Sequence, residues 1–275
     1  MAIVTISRQV GSLGDEIAEM TARELGYELI DREIIKEQAQ ARDPAFRKAC
    51  QAYEAETSPR GFFERLFLGD PHFLNLFECL NLELASRGDV VLVGRGAHLV
   101  LAQVPGVLKV RIIAPDELRA RRIAEKKGVP LEQAQEFVEK YGRRRRALLE
   151  SIYQQDITDP LLFDLVINTA EITASEALGL ISRAAADLGR RADKAERRRI
   201  LERMVFAKRI ERAVKQSLTS LAYRHVSVVV RDNGEVVLTG VVADESLKTK
   251  AAEAAAAVEG VTKVVNELTI TPLYF

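Results

Sequence analysis

The stretch Ala2-Ile-Val-Thr-Ile-Ser-Arg-Gln-Val-Gly-Ser-Leu-Gly14 decides the fold. Its first residues are apolar and β-branched, which predicts a short strand. Gly11-Ser12-Leu13-Gly14 follows as a small-residue loop, and Asp15 to about Leu25 has the spacing of an amphipathic helix. A strand that runs through such a loop into a helix gathers backbone N–H groups and a positive helix end around one concavity. That arrangement suits a phosphate.

The loop departs from the standard pattern G-x-x-x-x-G-K-[ST], in which the lysine meets the β/γ-phosphates and the hydroxyl meets magnesium. With Gly11-Ser12 laid on the Gly-Ser of such a loop, Gly14 falls on the lysine and Glu16 falls in the Ser/Thr segment. The scaffold therefore carries altered chemical equipment.

Working outward, Gly26 closes the first helix and Tyr27 to Asp31 reads as a second short strand. Helical patterning runs from Arg32 to about Ala55 and is broken at Thr57–Gly61 and Gly69–Pro71. A helix over about Phe73–Ser86 leads to Val90–Val93, a continuous apolar run of the kind buried in a parallel sheet. Val107–Ile113 and Phe163–Ile167 are two more such runs. Between them lie a helix after Pro115, a break at Gly128-Val-Pro130 and a second helix carrying Arg143 to Arg146. Thr173-Ala-Ser-Glu176 has the spacing of a capping box. Strands alternating with helices predict a parallel α/β sheet whose ligands bind at the C-terminal strand edge.

From about Gly189 to Met204 the sequence is charge-rich and helix-forming without a wide apolar face, which reads as an exposed connecting helix. Beyond it come a helix over about Val205–Ser220 and two alternating β-branched runs around Asp232-Asn233-Gly234, a hairpin signal. An alanine-rich helix and a final strand from Lys263 to Ile270 complete an αββαβ module.

The chain has 275 residues, room for two domains, and its 40 basic and 40 acidic residues cancel. That balance argues against a global attraction to nucleic acid. No 18-residue apolar run and no signal-peptide layout occur, so a cytoplasmic location is the default. Cys50 and Cys79 read as buried small residues on helices, and three scattered histidines give no zinc spacing.

Four ordered motifs, Ile6-Ser-Arg-Gln-x-Gly-Ser-x-Gly14, Tyr27-x-x-x-Asp31-Arg32-Glu33, Val93-Gly-Arg-Gly-Ala-His-Leu99 and Phe163-Asp-Leu-Val-Ile-Asn-Thr169, resemble the cytidylate kinase-like family, a divergent branch of the nucleoside monophosphate kinases. The resemblance spans residues 1–187. It implies a P-loop kinase-like parallel sheet with a helical lid, ATP as phosphoryl donor and a pyrimidine monophosphate, CMP first among them, as acceptor. It implies magnesium too, although no protein ligand for it is identifiable.

By position, Gly11, Ser12 and Gly14 would form the phosphate loop, with Arg8 beside it. The Arg8 guanidinium can replace part of the missing lysine charge; the plain alternative is a surface salt bridge. Asp31 and Arg32 would face the monophosphate, or else cap the next helix. Arg95 would hold the acceptor phosphate, but Val93 and Gly96 stand where ordinary cytidylate kinases carry aspartates around their Gly-Arg. Arg119 and Arg122 match lid arginines, and Arg143 and Arg146 lie where the second lid helix would add phosphate contacts; a solvated helix face is the alternative. Leu13 puts a bulky residue where the family's loop usually has glycine.

The last residues resemble a BON domain through Val236-Val-Leu-Thr-Gly240, Lys250-x-x-Ala and Val258-Glu-Gly-Val-Thr-Lys-Val-Val-Asn-Glu-Leu268. That resemblance implies a non-catalytic module that binds a protein partner or a phospholipid surface, which would place the protein at the membrane periphery. Lys208, Arg209, Arg212 and Lys215 on its first helix read as a solvated face. The expected organisation is a kinase-like domain over residues 1–187, a charged helical linker over 188–203 and a BON-like domain over 204–275. Two functions follow: phosphoryl transfer from ATP to a nucleoside monophosphate, or nucleotide binding by a weakly active regulator whose second module engages a partner.

Overall fold

The computed structural model describes residues 2–54, 71–218, 226–231 and 233–271. The sequence breaks at Thr57–Gly61 and Gly69-Asp70, the strand start at His225 and the turn residue Asp232 lie outside the described residues.

Five parallel strands form the main sheet: β1 (Ile3–Arg8), β2 (Glu28–Ile30), β3 (Val90–Val93), β4 (Val107–Ile113) and β5 (Leu165–Asn168), in the order β2-β3-β1-β4-β5. Because β1 pairs with β3 on one side and β4 on the other, the crossovers diverge at its C-terminal end and open a crevice there. The Gly/Ser loop after β1 sits in that crevice.

Helices cover both faces. On one, α1 (Gly14–Leu25) and α8 (Ala174–Arg191) bring Ile17, Ala18, Ala177 and Ile181 onto Val4, Ile6, Val110 and Ile112. The expected capping box starts α8: Glu176 N–H donates to Thr173 Oγ1 at 3.2 Å, and Thr173 N–H donates to the Glu176 carboxylate at 2.8 Å. On the other face, α2 (Arg32–Arg42), α3 (Pro44–Glu54) and α4 (Pro71–Ser86) supply Ile35, Phe46, Phe77 and Leu80 against Ile3 and Leu92. Phe46 meets Phe73 and Phe77 edge-on at 5.2 and 5.3 Å, a favoured aromatic geometry. Cys50 and Cys79 are buried on these helices.

The single helix expected over residues 32–55 is two. Pro44 has no N–H to donate and forces Asp43 into extended backbone (φ −127°, ψ 105°), while the Asp43 carboxylate accepts from Phe46 N–H at 2.9 Å. A short helix α5 (Ala97–Val100) follows β3, and α6 (Asp116–Lys127) with α7 (Leu131–Tyr153) forms the lid hairpin. Ala120, Ile123, Ala134 and Val138 make the hairpin's own small core.

The C-terminal module has β6 (Ser227–Val230), β7 (Glu235–Val242), α10 (Glu245–Ala256) and β8 (Lys263–Ile270) in a sheet ordered β6-β7-β8. Its first helix, α9 (Lys194–Ser217), belongs to both units. Leu201 and Val205 lie in the core under the main sheet, and Ile210 and Val214 lie in the core of the C-terminal sheet. The reading of residues 189–204 as an exposed connector is corrected accordingly. Burying Leu201 and Val205 contributes about 1.5–3 kcal/mol each.

The basic face of α9 is largely paired rather than solvated, with Lys208, Arg212 and Lys215 half-buried and Arg209 exposed. Lys208 pairs with Glu78 at 2.7 Å, Arg209 with Glu83 at 2.8 Å, and Arg212 with Asp43 at 2.7 Å, all carboxylates of the kinase-like unit. Lys215 pairs with Glu211 on α9 itself.

Candidate functional site

The loop between β1 and α1 is fastened from behind. Ser12 Oγ donates to the carbonyls of Gln9 (2.8 Å) and Ile112 (3.2 Å), so this hydroxyl serves the loop's shape. Arg119, the buried lid arginine, donates to the carbonyls of Ala114 (3.0 Å) and Val10 (3.2 Å) and to Asp116 (2.5 Å). Arg122 donates to the Thr169 carbonyl (2.8 Å) and hydroxyl (3.0 Å) and reaches the Gly11 carbonyl at 3.5 Å. Both side chains therefore clamp the loop in this geometry. Leu13 adopts a left-handed conformation (φ 63°) as the N-cap of α1 and packs against the core on the α1/α8 face. No side chain caps α1, so its first-turn N–H groups carry the positive end of the helix dipole into the crevice.

Opposite the loop, Gly94, Arg95 and Gly96 follow β3 with φ of 75°, 55° and 70°. Three successive left-handed residues, one with a large side chain, make a strained turn of the kind found at binding sites. Burial first, and then Arg32, Arg145 and Arg8, push the Arg95 guanidinium down to about 9. Arg145 is lowered by burial and then by Arg8. These groups stay charged at neutral pH, so the turn gathers several positive charges, two of them largely out of water. Arg8 itself is held by Asp15, with Nε and one terminal nitrogen each 2.7 Å from Asp15 Oδ1.

A cleft of about 170 Å³ between the sheet edge and α7 is lined by six arginines, Arg8, Arg111, Arg119, Arg143, Arg145 and Arg146. Of the lid run, the sequence reading favours Arg143 and Arg146, but α7 turns neither of them most deeply inward. Arg143 is exposed and pairs with Glu139 at 3.3 Å; Arg146 is exposed at the rim. Arg145 is the inward residue, close enough to Gly94 that a Cβ there would lie 3.2 Å from its guanidinium. Helical spacing carries the signal: Ala134, Val138, Tyr141, Arg145 and Leu148 form one inward stripe, so Arg145 is the arginine of the four that shares a phase with core residues.

Arg111, in β4, is a second residue that sequence reasoning missed. Its guanidinium donates to Ser7 Oγ at 3.1 Å and stands 5.3 Å over the Phe163 ring. Phe163 also stacks on His98 at 4.8 Å. This layer underlies the Gly94–Gly96 turn. Asp31 serves as the N-cap of α2, its carboxylate accepting from Glu33 N–H (2.9 Å) and Ile34 N–H (3.0 Å), and Arg32 lies 3.4 Å from Glu33 while contributing to the field at Arg95. On the outer side of the loop, a larger opening of about 610 Å³ is lined by Gly11, Leu13, Gly14, Arg122, Lys126 and Lys127 among others.

Three groups near the loop that could reach a magnesium ion are already engaged. Asp15 is engaged by Arg8, Asp116 by Arg119, and the Ser12 hydroxyl by carbonyls. Among the described residues no cluster of three or more His, Cys, Asp or Glu side chains could hold a metal ion.

The sheet and its flanking helices have counterparts among known proteins. Residues 3–171 match the cytidylate kinase-like family model, and residues 206–272 match the BON domain model. The chain belongs to the cytidylate kinase-like family. A cytidylate kinase from Pyrobaculum aerophilum is 31% identical over 179 residues, covering 65% of this chain and 89% of that protein. One from Methanopyrus kandleri is 34% identical over 119 residues, covering 40% and 62%. An uncharacterised protein from Eubacterium ventriosum shares the fold with a TM-score of 0.54 at 19% identity, over 68% of this chain and 98% of its own. The cytidylate kinase-like domain thus accounts for the five-stranded sheet and lid, and the BON domain for the smaller sheet. No helix among the described residues is long and apolar enough to cross a membrane.

Proposed function

We propose that the cytidylate kinase-like domain transfers the γ-phosphoryl group of ATP to a nucleoside monophosphate, with CMP as the first acceptor to test. The observation that carries this reading is the convergence of Arg8, Arg95 and Arg145 on the Gly94–Gly96 turn, across from the open start of α1. Phosphoryl transfer is dominated by positioning and charge neutralisation. An acceptor phosphate oxygen attacks the γ-phosphorus and ADP departs, so no side chain has to remove a proton from a hydroxyl. Bringing two anions together is the main electrostatic obstacle, and the arginine field reduces it. In this reading Arg95 orients the acceptor phosphate, Arg145 follows the transferred group, and Arg119 and Arg122 position the loop. Gly11 and Gly14 belong to the loop that faces the donor phosphates in this reading.

A weakly active nucleotide-binding regulator is the second reading. It is favoured by Gly14 at the lysine position, Val93 and Gly96 at the acidic positions, and the helix α9 that both units share. Under either reading we place the kinase-like unit at residues 1–187 and the BON unit at 204–275, with α9 as common structure. The BON unit binds a protein or phospholipid partner in this proposal, and its surface for that partner excludes Lys208 and Arg212, which face carboxylates of the kinase-like unit.

The test is titration of ATP and CMP by calorimetry with a parallel ADP-release assay, using Arg95→Ala as control. Turnover that Arg95→Ala abolishes supports the kinase. Binding without turnover, across CMP, UMP and AMP, supports the regulator. Absence of nucleotide binding overturns both.

A further inference from the structure

We infer that Arg8, threading across Gly14, delivers from β1 the phosphate-binding cation that the usual loop delivers from the first turn of its helix. The inference rests on the kinase reading for its ligand, and on independent geometry for the residue pair. A Cβ placed on Gly14 would lie 2.3 Å from Arg8 Cβ and 2.8 Å from Arg8 Cγ. The Arg8 side chain thus occupies the space through which a lysine at position 14 would leave the backbone. Its far end meets a second glycine: a Cβ on Gly94 would lie 2.3 Å from an Arg8 terminal nitrogen.

Gly14 is absent from the left-handed residues of the chain and begins a regular helix. Backbone conformation therefore gives no reason for glycine there, and glycine in a helix is destabilising relative to alanine. The stem of the Arg8 side chain, its Cβ and Cγ, supplies the reason. The guanidinium is oriented as well as admitted. Nε and one terminal nitrogen engage Asp15, which leaves the other terminal nitrogen directed at Gly94, on the side where Arg145 arrives. Asp15 is thus a positioning residue for Arg8.

The experiment is a residue transfer. Full-length wild type, Arg8→Gly, Gly14→Ala, Arg8→Gly/Gly14→Ala and Arg8→Gly/Gly14→Lys are compared for thermal unfolding and for ATP affinity by calorimetry. Glycine at position 8 is needed because alanine would keep the Cβ that lies 2.3 Å from a Cβ placed on Gly14. Gly14→Ala should lower the melting temperature in the Arg8 background and leave it unchanged or raised in the Arg8→Gly background. Arg8→Gly should weaken ATP about ten- to a hundredfold, and Gly14→Lys placed on top should recover a large part of that loss. Equal ATP affinity of wild type and Arg8→Gly overturns the inference, as does the same Gly14→Ala penalty in both backgrounds. ATP binding lost in Arg8→Gly, with no acceptor turned over by wild type, upholds the inference and refutes the kinase reading alone. No ATP binding by wild type overturns both.

Discussion

Lys208 Nζ of α9 lies 2.7 Å from the Glu78 carboxylate of α4, and that carboxylate also accepts a hydrogen bond from Tyr153 at the end of the lid helix. Tyr153 in turn packs under the Arg95 turn, where a Cβ on Gly96 would lie 2.9 Å from its hydroxyl. Burial alone would lower the Lys208 ammonium, but Glu78 and Glu211 outweigh it and hold the group well above its ordinary value. One polar chain therefore links the Gly94–Gly96 turn to the helix that starts the BON domain. Lys208→Met removes the charge partner of Glu78, which is mostly out of water, and should cost about 1–3 kcal/mol. Denaturant titration of Lys208→Met, Glu78→Gln and the double variant should return a coupling of about 0.5 kcal/mol or more. Acceptor affinity should fall several-fold in Lys208→Met; an unchanged affinity would mean the chain transmits nothing to the site.

The lid arginines divide sharply by their place on α7. Arg145→Met should reduce kcat/KM by about 10²-fold or more, the scale of losing one charge that acts on the transferring group. Arg143→Met, which removes a surface partner of Glu139, should stay within about threefold. Steady-state kinetics on both variants checks this, and equal effects would place the run outside the site.

These contrasts show how far the sequence was readable. The β1–loop–α1 unit was legible because an apolar run, Gly11-Ser12 and an amphipathic helix point to one local structure. The capping box at Thr173 and the strand at Val90–Val93 were legible for the same reason. Arg145 was not, since four adjacent arginines look alike until the phase of Val138, Tyr141 and Leu148 is imposed. Arg111 was hidden inside a strand that reads as apolar. The route of Arg8 past Gly14 and Gly94 joins positions far apart in the chain, and no local pattern records it. Likewise, the break at Pro44 is masked in the sequence by helix-forming segments on both sides, Lys36–Arg42 and Ala45–Ala49.

Helix α9 was misread because its many charges mask two core positions. Leu201 is 2% exposed and sits in the core beneath the main sheet. Leu201→Ala should therefore cost about 2–4 kcal/mol, as large-to-small core substitutions do. Arg198→Ala, on the exposed side of the same turn, should change stability by less than about 0.5 kcal/mol. Chemical denaturation of the two variants separates a core helix from a connector, for which both changes would be small.

His98 makes acid stability a test of the layer under the Arg95 turn. The ring is 3% exposed, stacked on Phe163, and its Nε2 has no hydrogen-bond partner among the described residues. Burial, and then the nearby Arg111 and Arg145, push it down from 6.5 to about 3. Between these values the unfolded chain takes up a proton that the folded protein refuses. The neutral ring's contribution is thus present above about pH 6.5 and is lost progressively as pH falls toward 3. Over that window stability should fall by up to about 1.4 kcal/mol per pH unit from this group. His98→Phe keeps the stack on Phe163, removes the titrating group and leaves no polar atom stranded. Melting temperatures measured from pH 7.5 to pH 5 should decline more steeply for wild type than for His98→Phe. Parallel curves would show that His98 is protonated in the folded protein, with its ring reached by solvent or paired with an acid.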